Sequence, residues 1–127
     1  MAKGLWRQEL TYAKAMLDEY VREQLMKMLV WYVGAQTGFT QCPGKLGKYL
    51  ERFLEPELWK LLKKTYSDAD YEHTWQALFT MGELFRKVAI PVAWHFGFTY
   101  PQQVDERVSA HLWHVHTLPR DAKHMYE

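Results

Sequence analysis

The 127-residue chain is short of several things, and each shortage excludes a class of protein. Its one cysteine, Cys42, cannot close an internal disulfide and has no CxxC partner, which points to a reducing, cytoplasmic setting. No apolar run approaches the ~20 residues of a membrane-spanning helix. The start, Met1-Ala-Lys-Gly-Leu-Trp-Arg, lacks the apolar centre of a secretory signal, so no membrane partner is expected. Charge is nearly balanced, 16 Lys and Arg against 15 Asp and Glu, which argues against a general nucleic-acid binder. Serine occurs only as Ser67 and Ser109, neither within a GxSxG, so no nucleophile–base pair is visible. No segment alternates with period two, so no sheet is expected.

Aromatic residues are plentiful instead: six Trp, eight Tyr and six Phe. Each ring buries roughly 150–250 Å², enough to give one small domain a substantial core. Apolar residues at spacings of three and four predict a first helix over about 8–33. Leu10, Ala13, Leu17, Tyr20 or Val21, Leu25, Met28 and Trp31 face inward there, with Arg22 among the outward charges. Gly34 suits the position just past its end, and 34–45 reads as a loop. A short helix over 46–54, with Leu46, Tyr49, Leu50 and Phe53 inward, precedes one opened by Pro56 and running to about Lys64. Ser67 or Asp68 is placed to cap the next helix. Tyr71, Trp75, Leu78, Gly82, Phe85, Ala89, Val92 and Phe96 form its stripe, with a kink expected at Pro91 and an end at Gly97. A last helix follows Tyr100-Pro101, with Val104, Val108, Leu112 and Val115 inward, and closes before Pro119. The polar tail beyond it is expected to be frayed or docked on the surface. The pattern predicts a single all-α domain, an antiparallel helical bundle of four to six helices.

Four constellations carry chemistry. Cys42-Pro-Gly-Lys45-Leu-Gly-Lys48 combines lysines, glycines and a helix start, which suits an anion, although it also reads as an ordinary glycine-bearing turn and is no Walker A loop. His111, His114 and His116 lie close together, but only the first two share a helix face, so exposed histidines are the plainer reading than a metal site. The acids of Ser67-Asp-Ala-Asp-Tyr-Glu72 suit a helix N-terminus through its dipole, or a cationic ligand aided by Tyr71 and Trp75. The same choice applies to Trp6, Glu9, Asp18 and Glu19. Residues 31–66 are basic, with six Lys and Arg against three acids, and 67–100 acidic, with four acids against two. Solvated faces are the plain explanation of both.

Blocks along most of the chain resemble the helical C-terminal domain of the aminoglycoside 6-adenylyltransferases, the streptomycin-modifying enzymes. They include Ala2-Lys-Gly-Leu-Trp-Arg-Gln-Glu-Leu, Gly44-Lys-Leu-Gly-Lys-Tyr-Leu, Leu54-Glu-Pro-Glu-Leu-Trp, Thr65-Tyr-Ser-Asp-Ala-Asp-Tyr-Glu and His95-Phe-Gly-Phe-Thr-Tyr-Pro. The resemblance implies that residues 1–127 form the substrate-binding half of such an enzyme. It also implies that the N-terminal nucleotidyltransferase domain, with its Gly-Ser loop and metal-holding aspartates, is absent, leaving this chain inactive by itself. ATP and Mg²⁺ belong to the full-length family, and no cofactor is expected on this chain alone. By the same resemblance Lys45 and Tyr66, then Lys48, are the expected phosphate contacts. Trp6, Glu9, Asp18 and Glu19 are the expected contacts to the aminoglycoside, streptomycin. The alternative expectation is a non-enzymatic helical module that forms a homodimer, or pairs with a separate nucleotidyltransferase subunit, through the face a missing domain would cover.

Overall fold

The computed structural model describes residues 2–118, and among these every regular element is helical. A one-turn helix, α1 (Ala2–Trp6), is followed by a break at which Gln8 takes φ 55°. Next comes α2 (Leu10–Ala15), which runs directly into a π-helical segment, Met16–Val21, and then into α3 (Arg22–Thr37). A loop and a 3₁₀ turn, Lys45–Gly47, lead to a one-turn α4 (Leu50–Phe53). The chain continues as α5 (Pro56–Lys64), the long α6 (Tyr71–His95) and α7 (Gln102–Thr117). Apart from the one-turn pieces, the helical bodies make a bundle.

The most extensive helix pairing is α3 on α6. Leu25, Leu29 and Val33 of α3 are buried in one cluster with Leu78, Met81, Leu84 and Val88 of α6, joined by Leu58 and Leu62 of α5 and Val115 of α7. This face differs from the one that the spacing predicts, and the π-helical turn explains the difference. A π turn accommodates one extra residue, so every later side chain is displaced by one position around the axis. Arg22, Leu29 and Tyr32 are buried where Val21, Met28 and Trp31 were expected, and Tyr20 and Trp31 are 62% and 51% exposed.

Several boundaries also move. α3 runs through Gly34 to Thr37 and ends on Gly38 at φ 62°, with the Phe39 N–H returned to the Gly34 carbonyl at 2.7 Å. Gly34 is interior because the Phe39 ring folds over it, and a Cβ there would lie 2.3 Å from that ring. The cap of α6 is Asp70, which accepts from the His73 N–H at 2.9 Å, rather than Ser67 or Asp68. Asp68 instead accepts the Asp70 N–H, and Ser67 is occupied by Lys14. α6 continues through Pro91 to His95; the carbonyl freed four residues back belongs to exposed Lys87, where water can satisfy it. Leu46 and Tyr49, expected inward, are 89% and 38% exposed because the left-handed Leu46 (φ 57°) turns this loop outward.

α6 and α7 run antiparallel, as polar ties at both ends show. Glu72 meets the His116 Nε2 at 2.9 Å, and Arg86 forms a bidentate ion pair with Asp105. Val104 and Val108, expected inward, are 56% and 54% exposed. The start of α7 is held to α6 by polar groups, so its apolar side lines an open groove of about 530 Å³ with Val21, Gly82 and Phe85. Tyr100 and Ser109 also donate to Asp105. The Arg86 guanidinium, with these two hydroxyls, holds the Asp105 carboxyl down to about 2 against the opposing effect of burial.

Two outcomes follow from this packing. Leu29→Ala is expected to destabilise the fold by about 2–5 kcal/mol in urea unfolding, since Leu29 is fully buried between α3 and α6. The folded-state carboxyl of Asp105 titrates below its unfolded value of 3.8, so its contribution is complete above about 4 and is lost as pH falls towards about 2. Acid titration of stability should therefore be shallower in Asp105→Asn over that window.

Candidate functional site

The displaced helix register creates a groove of about 430 Å³ between the first long helix and the loop at 44–47. One wall is a helical stripe: Glu19, Glu23, Met26, Lys27, Val30 and Trp31, with Arg22 at its base. Gly44, Leu46 and Gly47 form the other. Glycine is required where the walls meet: Gly47 has φ 72°, and a Cβ there would lie 2.8 Å from the Met26 Cε and 2.7 Å from Leu50.

Charge within the groove is unevenly satisfied. Asp18, beside it, lies 3.6 Å from the Lys14 ammonium and 3.7 Å from the Arg22 guanidinium. Glu23 is paired with Lys27 at 3.5 Å. Glu19 has no ion-pair partner among the described residues, and the Trp31 indole, about three turns further along the same helical run, is half exposed. A free carboxylate and an open indole each suit a cation.

The base of the groove is tied to the loop after α5. Arg22 is 8% exposed and donates to Thr65 Oγ1 at 2.6 Å and to the Thr65 carbonyl at 2.9 Å. Its guanidinium lies 3.8 Å from the centroid of the Tyr66 ring, whose other side is open. Lys14 donates to Ser67 Oγ at 3.0 Å and to the carbonyls of Ser67 and Asp68. Beyond Tyr66 a more polar depression holds Lys64, Asp68 and His73. The Asp68 carboxylate raises the His73 imidazole above its ordinary range, and His73 in turn lowers Asp68.

The expected site residues fall into two groups. Lys45 opens the 3₁₀ turn at the groove's edge, exposed and without an ion-pair partner among the described residues; Lys48 follows, its ammonium 5.1 Å from the Tyr49 ring. Glu19 lines this groove, Asp18 reaches the Arg22 at its base, and Tyr66, stacked on the same Arg22, lines the neighbouring polar depression instead. Trp6 and Glu9 do not line it. Trp6 packs half-buried against the core from α1, and Glu9 sits at the start of α2 with its backbone bonded to Gly4 and Ala13. The acids at 68–72 have internal tasks, as cap, as His73 partner and as His116 partner, while Trp75 is buried and Tyr71 donates to the Gln8 carbonyl. His116 lies among Trp75, Phe79 and Trp113, and Cys42 is exposed. Among the described residues no three His, Cys, Asp or Glu side chains gather to hold a metal ion, and no helix is long and apolar enough to cross a membrane.

Arg22, Trp31 and Thr65 were missed. A signal existed for the first two, since the helical spacing needs either Tyr20 or Val21 to continue past Leu17, and such an ambiguity marks a local change of period.

Over residues 1–115 the sequence matches the family of streptomycin adenylyltransferases. The chain belongs to that family. Within it, the chain is 37% identical over 101 residues to an aminoglycoside 6-adenylyltransferase of Bacillus subtilis (strain 168), covering 80% of this chain and 36% of that protein. It is 33% identical over 112 residues to the same-named protein of Campylobacter jejuni, covering 88% of this chain and 38% of the relative. The fold superposes on the crystal structure of an aminoglycoside 6-adenyltransferase from Bacillus subtilis with a TM-score of 0.79 at 33% identity, over 92% of this chain and 44% of that one. This streptomycin adenylyltransferase family member thus spans less than half the length of these relatives.

Because the groove depends on close approach of the 44–47 loop, Gly47→Ala should destabilise the protein by about 1–2 kcal/mol through left-handed strain alone. The adjacent groove amides should lose hydrogen-exchange protection in the same variant.

Proposed function

We propose that this chain is the helical, substrate-binding part of an aminoglycoside 6-adenylyltransferase. Together with a nucleotidyltransferase domain it forms one wall of the cleft in which AMP passes from ATP to an aminoglycoside, with streptomycin the expected acceptor. The observation that carries this reading is the groove between the first long helix and the 44–47 turn, which is lined by the unpaired Glu19 carboxylate and, about three helical turns further on, by the open Trp31 indole, with the exposed Lys45 next to its lining in the turn. A polycationic sugar is recognised by carboxylates and aromatic faces, a triphosphate by lysines and hydroxyls. In this reading Glu19 and Trp31 face the aminoglycoside, and Lys45, Lys48 and Tyr66 face the phosphates.

Asp18 ranks below Glu19 as a ligand group, because Lys14 and Arg22 already compensate its charge. Trp6 and Glu9 rank lower still because they lie off the groove. The described residues do not fit a catalytic Mg²⁺, so the metal and the acids that hold it belong, in this reading, to the nucleotidyltransferase domain.

The test combines this chain with a separately produced nucleotidyltransferase domain of the family and follows AMP transfer from ATP to streptomycin. Transfer is expected only in the mixture. Lys45→Ala should raise the KM for ATP, and Glu19→Gln the KM for streptomycin, each roughly tenfold. A mixture that neither binds nor adenylylates streptomycin overturns the proposal.

A second reading, a helical module that self-associates, is favoured by one observation. Trp31, Phe85, Val92, Phe96 and Phe98 line an uncovered apolar groove of about 500 Å³. A second groove shares its Phe85, Tyr100 and Pro101 lining. Exposed apolar surface of this kind marks an interface. Light scattering that finds a strict monomer at high concentration removes this reading.

A further inference from the structure

We infer that Arg22 is a positioning residue that presets the Tyr66 ring, which lines the polar depression on the far side of Arg22 from the groove, an inference that rests on the proposed substrate-binding reading. Three observations converge on it. Arg22 is 8% exposed, yet it comes from the helix stripe that lines the groove. Its fork is spent on one residue, Thr65, through both the hydroxyl and the carbonyl. The flat face of the same guanidinium then lies against the ring of the next residue, Tyr66, at 3.8 Å.

Thr65 is an apt anchor because it is fully buried and its hydroxyl donates onward to the Leu62 carbonyl at 2.6 Å. The guanidinium is therefore held in one plane by α5, and the ring rests on that plane with its outer face and hydroxyl open to the solvent. Burial of such a charge is costly unless its hydrogen bonds are made. Here the Nε–H is buried without a hydrogen-bond partner. The same side chain reaches Asp18 at 3.7 Å, so one guanidinium sets both a phosphate-side tyrosine and the charge available to the sugar side. Lysine keeps the charge but has neither the fork nor the plane.

The test uses the chain with fluorotyrosine incorporated, the Tyr66 resonance assigned by Tyr66→Phe, alone and paired with a nucleotidyltransferase domain. Arg22→Lys and Thr65→Val should each shift and broaden the Tyr66 fluorine resonance. They should also weaken ATP binding by the pair about fivefold to tenfold, in line with a hydrogen bond from a displaced Tyr66 hydroxyl to phosphate being lost. Thr65→Ser, which keeps the hydroxyl, should restore both readouts. An unchanged Tyr66 resonance in Arg22→Lys overturns the inference, whatever the pair binds. So does a shifted resonance with unchanged ATP affinity in a pair whose affinity Tyr66→Ala does reduce. If the unsubstituted pair binds neither ATP nor streptomycin, the proposed function falls, while the fluorine resonance still decides whether Arg22 sets the ring.

Discussion

The wide helical turn at Met16–Val21 is the constraint on which the rest of the arrangement depends. By inserting one residue's worth of rotation it turns Arg22 inward and Trp31 outward, and it sends Leu29 and Val33 onto α6. An unbroken α-helix with the same sequence would bury Val21, Met28 and Trp31 and would leave Arg22 in solvent. The core would then be as apolar, but the groove beside the 44–47 loop would lose both its indole and its buried base. π-helical turns cost hydrogen-bond geometry, and they recur at functional sites because they re-aim side chains.

Around that turn, the loops are placed by polar contacts more than by apolar ones. Lys14 and Arg22 fasten the segment after α5, while the Tyr32 hydroxyl donates to Glu55 at the start of α5. Burial beside that carboxylate pushes the Tyr32 hydroxyl well above its usual range, so it remains a donor. Arg86 and Asp105 do the same work where α6 turns into α7. The first three ties fasten the first long helix to the segments flanking α5, and the last fastens α6 to the first turn of α7. The apolar consequence is visible in α7, whose first turns stand off the bundle and leave Val104 and Val108 along an open groove.

Legibility differed by kind of feature. The helices over 56–64 and 71–95 were readable because Pro56 and Gly97 act locally and because long apolar periodicity overrides single-residue uncertainty, although the cap itself is Asp70 and not the expected Ser67 or Asp68. Gly34 misled, because a glycine serves equally well as a helix terminator or as a place where a ring lies against the backbone, and only the position of Phe39 distinguishes the two. Asp18 and Glu19 looked equivalent as adjacent acids. They differ because Lys14, four residues before Asp18, and Arg22, four after it, share its helix face, whereas Glu19 faces the loop. Lys45, in the turn beside the groove, and Tyr66, in the neighbouring depression, are 21 positions apart, and only the packing of the 44–47 turn and of the loop after α5 against the first long helix sets them on either side of Arg22.

By itself the sequence determined an all-α chain, the approximate span of its longer helices, and its kinship, since these follow from local periodicity, capping residues and residue order. Tertiary structure alone decided which face of the first helix is buried, which acid remains unpaired, and which of the suspected ligand residues share a groove. Those outcomes depend on rotation about a helix axis and on contacts between residues far apart in the chain, and one extra residue in a turn rotates the later side chains by about 100°, enough to move Arg22 in and Trp31 out while Leu25 stays buried.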